Sequence, residues 1–177
     1  RVLERMNRGY TAQDYREKVA ALRATCPGVS ITSDVIVGFP GEEDEDFEAT
    51  LALMQDVRFD NLFSFQYSQR EGTAAAGMDR QVSASVKRER LRVLQALQAE
   101  HTLEKYSACL GRVEAVLVEG VSKNKPNEMT GRTRGNRIVN FPGHPELVGK
   151  TVSVKITKAF LHSLRGKMEE RGAAYVH

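Results

Sequence analysis

The 177-residue chain has no tryptophan and few cysteines, with only Cys26 and Cys109. Those two lie far apart, and neither belongs to a CxxC or CxxxCxxC spacing, so no disulfide framework and no cysteine-ligated cluster can be read locally. His101, His144, His162 and His177 form no HxxxH or HExxH pattern, which excludes a zinc site assembled from neighbouring residues and leaves them as expected surface residues. No apolar run approaches the roughly 18 residues a spanning helix needs, and the opening RVLERMNRGY has no secretory apolar core. A globular protein, soluble and cytoplasmic, without membrane contact, is therefore expected. Arg1 is not an initiator methionine, and the first residues are already helix-like, which reads as a truncated or processed polypeptide.

What is present is apolar content of 41%, enough to bury a core, and a charge distribution that the formal net charge of +3 conceals. Leu110 to Met168 holds 11 Lys/Arg against 4 Asp/Glu, a net +7, whereas Arg1 to Cys109 holds 14 against 17, a net −3. Such a split points to a polyanion partner on the basic side. The densest stretch is GVSKNKPNEMTGRTRGNRIVNF, Gly120 to Phe141, where Lys123, Lys125, Arg132, Arg134 and Arg137 sit between short β-like runs. Guanidinium groups at 132, 134 and 137 can bind phosphate through paired hydrogen bonds, and the two lysines act as mobile point charges. Thr133 and Asn136 are candidates for sugar or base edges, and Phe141 is either a stacking face or a core residue. A solvated basic surface with no partner is the plain alternative.

The chain reads as two regions. Thr11 followed by Asp14 is a capping box that opens a helix with Tyr15, Val19 and Leu22 inward, stopped by Cys26-Pro27-Gly28. Val29 to Val37 reads as a strand buried on both faces of a parallel sheet. Gly38-Phe39-Pro40-Gly41 is a turn, and the acids 42–46 complement the dipole of a helix carrying Phe47, Leu51 and Met54. Phe59 to Tyr67 is a second strand, 68–78 a loop, and Ser83 to about Leu110 a long helix with Val86, Leu91, Leu94 and Leu97 inward. The order indicates β/α units with a parallel sheet. After Gly111 the pattern changes to short runs at 112–119, 129–134, 138–141 and 150–158, which suggests a small closed or nearly closed β-barrel. The fold class is α/β, with regions at 1–109 and 110–168 and a tail at 169–177.

Several segments, in one order, carry a family resemblance: RVLERMNRGYT, DVIVGFPGEEDEDF, FSFQYSQREGTAA, SKNKPNEMTGRTRGNRIVNF and ITKAFLHSLRG. Together they resemble the tRNA methylthiotransferases of the radical S-adenosylmethionine (radical SAM) group, over nearly the whole chain. The resemblance implies that residues 1–109 are the later β/α units of a partial radical-SAM, TIM-like barrel, and that 110–168 is an OB-like TRAM barrel that holds RNA. It implies an enzyme that places sulfur and a methyl group on carbon 2 of an isopentenylated adenosine beside the anticodon. The intact enzyme would use S-adenosylmethionine and two iron–sulfur clusters, with the tRNA anticodon stem-loop as partner.

By the same resemblance, Val35, Ile36, Val37 and Gly38 match the adenine-facing strand, with Tyr67 and Ser68 at the next strand end, in keeping with active sites at the carboxyl ends of barrel strands. The family's CxxxCxxC and its three amino-terminal cysteines are absent. Reductive cleavage of S-adenosylmethionine needs a thiolate-held cluster, so this chain alone is expected to be inactive, with no catalytic residue, no metal ligand and no bound cofactor. Self-association of the incomplete barrel through open strand edges is a further expectation. Two rival readings stand beside this one: an RNA-binding module without chemistry, and a methylthiotransferase acting on a ribosomal protein.

Overall fold

The computed structural model describes residues 1–123 and 125–169. They form two compact units that divide between His101 and Thr102, inside a long helix. His177 and most of the expected tail lie outside the described residues.

The first unit begins with a short helix α1 (Val2–Arg5) and α2 (Ala12–Thr25). The capping box at the start of α2 forms as the residue types dictate: the Thr11 hydroxyl accepts from the Asp14 amide, and Asp14 accepts from the Thr11 amide at 2.7 Å. Strand β1 (Thr32–Val37), helix α3 (Asp44–Val57) and strand β2 (Asn61–Gln66) follow, and the long helix α4 (Ala84–Ser107) closes the order. β1 and β2 pair in parallel, with Val35 opposite Ser64 and Ile36 opposite Phe65. This is the β/α arrangement expected from the alternation of elements.

The core of this unit gathers Val19, Val37, Met54, Val57, Phe59, Leu62 and Leu94 between the sheet and its helices. Phe47, Leu51 and Met54 all face it, whereas Leu22 and Val86 are exposed, against expectation. The strand expected to be buried on both faces is covered on one only. Thr32, Asp34 and Ile36 on β1, with Asn61, Phe63 and Phe65 on β2, line a bare face, because a sheet two strands wide carries its helices on the opposite side. Phe63 and Phe65 are 56% and 53% exposed there.

The second unit is an all-β barrel of β3 (Val113–Val121), β4 (Glu128–Thr133), β5 (Ile138–Pro142), β6 (Thr151–Ala159) and β7 (Leu164–Met168). The hydrogen-bonded order is β3-β4-β5-β7-β6, and β6 returns to β3. That is the OB topology, in which the third and fifth strands run parallel; here Val139 stands opposite Leu164 and Asn140 opposite Arg165. β7 was not among the expected runs, since its SLRGKM stretch lacks alternation, yet it is the strand that closes the barrel. Bulges near Gly120 and Thr157 supply the bend that closure requires.

Alternation fills the barrel interior. Val116, Val118, Met129, Val139, Phe141, Val154, Ile156 and Leu164 are all at most 1% exposed, and each stabilises by roughly 1.5–3 kcal/mol. Phe141, at 0% exposure, is therefore a core residue. Gly131 and Gly166 face this interior where strands approach closely; a Cβ at Gly131 would stand 2.3 Å from the Leu117 carbonyl oxygen.

Candidate nucleic-acid interface

The five cations singled out in the sequence fall at the two ends of β4, two in the β3–β4 connection before it and three in or beside the β4–β5 hairpin after it. Lys123 and Lys125 lie in the β3–β4 connection, both exposed. The Lys125 ammonium is 3.7 Å from Glu128, whose carboxylate also pairs with Arg165. The Lys125 side chain is itself exposed, and a long contact of this kind contributes little.

The other three frame the β4–β5 hairpin. Its turn is built by Thr133: the Thr133 carbonyl accepts from the Asn136 amide at 2.9 Å, and its hydroxyl accepts from the Arg137 amide at 3.2 Å. Asn136 takes the left-handed conformation at φ 62°, as a residue closing a type I turn into a hairpin must. Thr133 is 6% exposed and its hydroxyl is engaged within the turn. Expected as a sugar or base contact, it instead sets the shape of the loop that presents its neighbours.

Arg134 is exposed at the hairpin tip. Arg132 projects outward from β4, its Nε donating to the Glu119 carboxylate at 3.1 Å and a terminal nitrogen donating to the Asn136 side-chain oxygen at 3.0 Å. These contacts hold the guanidinium plane while 40% of the side chain stays in solvent. Arg137 lies over the Tyr106 ring, 5.9 Å from its centre, an attraction between cation and ring face that fixes it beside the barrel wall. Arg132, Arg134, Asn136 and Arg137 thus belong to one hairpin. Beyond these, the sequence reading missed the cations of β6 and β7, although the alternation of VSVKITK already places Lys155 on the outer side of a strand.

The residues assigned to a cofactor strand lie in the first unit and do not share one direction. Val37 is 1% exposed in the core, Val35 is half-buried on the helix side, and Ile36 stands on the bare face. Gly38 has φ 72°, and a Cβ there would meet the Lys87 side chain at 2.4 Å, so the lysine stem already fills the space beside it. Lys87 donates to the Tyr67 carbonyl at 3.0 Å and lies over the Tyr67 ring. The Tyr67 ring meets Phe39 edge-on, and its hydroxyl is buried without a hydrogen-bond partner among the described residues. Ser68 is exposed at the strand end.

The acidic run is more than a solvated helix start. The Glu42 side chain is only 6% exposed and accepts from Arg90 at 2.7 Å and from the Gly38 amide at 2.9 Å, while Arg90 also reaches Asp44 at 2.7 Å. This buried pair ties the β1–α3 turn to α4 and carries a structural role. Cys26 is exposed and Cys109 buried, and among the described residues no group of three His, Cys, Asp or Glu can hold a metal. His101 is 5% exposed rather than at the surface.

Comparison with known proteins matches residues 107–168 to the TRAM domain. The chain is 61% identical over 168 residues to the tRNA-2-methylthio-N(6)-dimethylallyladenosine synthase of Syntrophus aciditrophicus (strain SB), covering 95% of this chain and 36% of that protein. It is 52% identical to the enzyme of the same name from Syntrophobacter fumaroxidans (strain DSM 10017 / MPOB), covering 94% of this chain and 37% of that protein. The same name belongs to a Geobacter metallireducens (strain ATCC 53774 / DSM 7210 / GS-15) protein, 50% identical, with shares of 94% and 38%. The chain thus spans a little over a third of the length of the curated relatives it matches.

Proposed function

We propose that this chain, which carries a TRAM domain and is kin along nearly its whole length to part of the tRNA methylthiotransferases, is the RNA-holding portion of such an enzyme. The activity of the whole is methylthiolation of an isopentenylated adenosine next to the anticodon, and the partner of this portion is the tRNA anticodon stem-loop in the cytoplasm. The observation that carries the reading is a closed barrel of OB topology whose β4–β5 hairpin and β3–β4 connection present Lys123, Lys125, Arg132, Arg134 and Arg137. OB barrels bind oligonucleotides on that strand pair and its loops. Asn136 orients Arg132, and Thr133 shapes the turn.

The first unit fits the later β/α units of a radical-SAM barrel, with 109/110 as the division between the two functional regions. A parallel pair with Ile36, Phe63 and Phe65 bare on one face is what part of a larger barrel sheet presents, and it also suits self-association when unfilled. Iron–sulfur clusters do not fit the cysteines present, so no step is assigned to them here. For S-adenosylmethionine, the buried Tyr67 hydroxyl, which has no hydrogen-bond partner among the described residues, supports the strand-end reading, with Ser68 next in the chain and Ile36 on the bare face of β1. Val35, Val37 and Gly38 face the helices or Lys87 and would contribute backbone only.

The test is binding of an anticodon stem-loop RNA to the chain as a function of salt. Arg132→Ala, Arg134→Ala and Arg137→Ala combined should weaken binding and flatten the dependence of log K on log salt by about 2–3, since each duplex phosphate contact contributes about 0.9. Unchanged affinity and slope would refute the RNA role of the hairpin.

A further inference from the structure

The cations of β6 and β7 are arranged against the free protein's own interest. Lys155 stands directly opposite Lys167, and Lys158 directly opposite Arg165, so two successive cross-strand pairs bring like charges together. Like charges opposite one another destabilise a sheet. Lys155, Lys158 and Lys167 are exposed and make no ion pair among the described residues. Of the acids nearby, Glu128 is committed to Arg165 and Lys125 and Glu119 to Arg132, while Glu169, across from Ser153 just past β7, makes no ion pair with the three lysines among the described residues.

Lysines on a strand often guard an open edge against pairing with another chain. That explanation fails at Lys155, which stands between Val113 of β3 and Lys167 of β7, whereas Lys158 and Lys167 lie past the last registered partners of β3 and β5, Lys155 and Arg165. Lys155, Lys158 and Lys167, exposed and without an ion pair among the described residues, can be satisfied by an external polyanion.

The row is also continuous with the hairpin face. Register across four strands sets Thr130 opposite Asn140, Asn140 opposite Arg165, and Arg165 opposite Lys158. Strand neighbours lie about 4.8 Å apart, so this band extends roughly 14 Å around the barrel from β4 to β6. Hydroxyl and amide groups at Thr130, Asn140, Ser153 and Thr157 are interleaved with the charges. Those are the groups that, with Lys and Arg, hydrogen-bond phosphate and ribose.

We propose that the β6–β7 ribbon, through Lys155, Lys158 and Lys167, is a second RNA-backbone contact surface that continues the path from the β4–β5 hairpin around the barrel. This rests on the RNA reading above and extends it to strands for which that reading assigns no role. An RNA lying across the barrel relieves the repulsion by placing phosphate between the paired lysines.

The experiment compares three forms of the full chain by fluorescence anisotropy with a labelled RNA stem-loop across a salt series. They are the unaltered protein, Lys155→Gln/Lys158→Gln/Lys167→Gln, and the Arg132/Arg134/Arg137 alanine form. The glutamine form should bind at least tenfold more weakly at low salt, and its log K against log salt should flatten by about 2–3. Its thermal midpoint without RNA should equal or exceed that of the unaltered protein, because repulsion is removed and no core contact is touched. If the alanine form loses affinity while the glutamine form keeps both affinity and slope, the second surface is refuted and the RNA reading stands. If the unaltered protein does not bind the RNA, both fail. A glutamine form that loses binding to vesicles rich in anionic lipid but not to RNA, or that melts lower, also overturns the proposal.

Discussion

Alanine at Gly131 and at Gly120 should change the stability of the barrel in opposite directions. Both glycines lie on the paired strands β3 and β4, neither has a positive φ, and both substitutions add one methyl group. At Gly131 that methyl would meet the Leu117 carbonyl oxygen at 2.3 Å, the Val116 side chain at 2.8 Å and the Leu117 carbonyl carbon at 3.0 Å. Two of the three are backbone atoms of the hydrogen-bonded neighbour strand, which cannot rotate away; β3 must move, and overpacking of this kind costs about 1–3 kcal/mol. At Gly120 nothing lies within 4 Å. There the gain from removing a glycine from a strand, about 0.5–1 kcal/mol, should stand alone. The assay is amide hydrogen exchange at Val116, Val139 and Val154, whose slowest exchange reports opening of the barrel by itself. Gly131→Ala should accelerate exchange by roughly five- to more than a hundredfold, at 1.4 kcal/mol per factor of ten, while Gly120→Ala should slow it. Equal effects at the two sites, or no acceleration at Gly131, would show that close approach of β3 and β4 is not what fixes the barrel.

Arg90→Leu should destabilise the first unit by about 3 kcal/mol or more, because it leaves the Glu42 carboxylate buried without its cation. Adding Glu42→Gln should recover part of that loss in thermal denaturation, and no recovery would argue against a buried pair. Asp14 should titrate below its ordinary 3.8, held down first by the Thr11 backbone amide and then by the Thr11 hydroxyl. A carboxylate with a lowered folded-state pKa stabilises above its unfolded value and loses that contribution as pH falls through the folded one. The start of α2 should therefore fray in acid, and carboxyl NMR should show the Asp14 midpoint rising in Thr11→Val. Phe63→Ser with Phe65→Ser should reduce concentration-dependent association in sedimentation while leaving the thermal midpoint within a few degrees; a large drop would mean that the face is covered in the folded unit.

Local chemistry made much of this protein legible from its residues. The Thr11–Asp14 box, the helical spacing of Phe47, Leu51 and Met54, and the alternation of Val152, Val154 and Ile156 each depend on neighbours a few positions apart, so element type and order could be written down directly. The charge contrast between the two halves and the ordered family segments needed no coordinates either. Misreadings came where a residue's role depends on distant partners. Glu42 looked like one of five solvated acids until Arg90 was brought over it, and Thr133 looked like a free hydroxyl until the turn claimed it.

Tertiary pairing alone decided the rest. SLRGKM carries no strand alternation, yet parallel pairing with β5 makes it the closing stave of the barrel. The bare face of Ile36, Phe63 and Phe65 follows from a sheet only two strands wide, which periodicity cannot count. Lys155 and Lys167 become neighbours only through antiparallel register between β6 and β7. Sequence thus determined which segments would be helix or strand and which half would be basic, since those depend on local spacing and composition. Closure, register and the grouping of charge on one wall belong to the fold, because they are set by hydrogen bonds between residues that the linear pattern keeps apart.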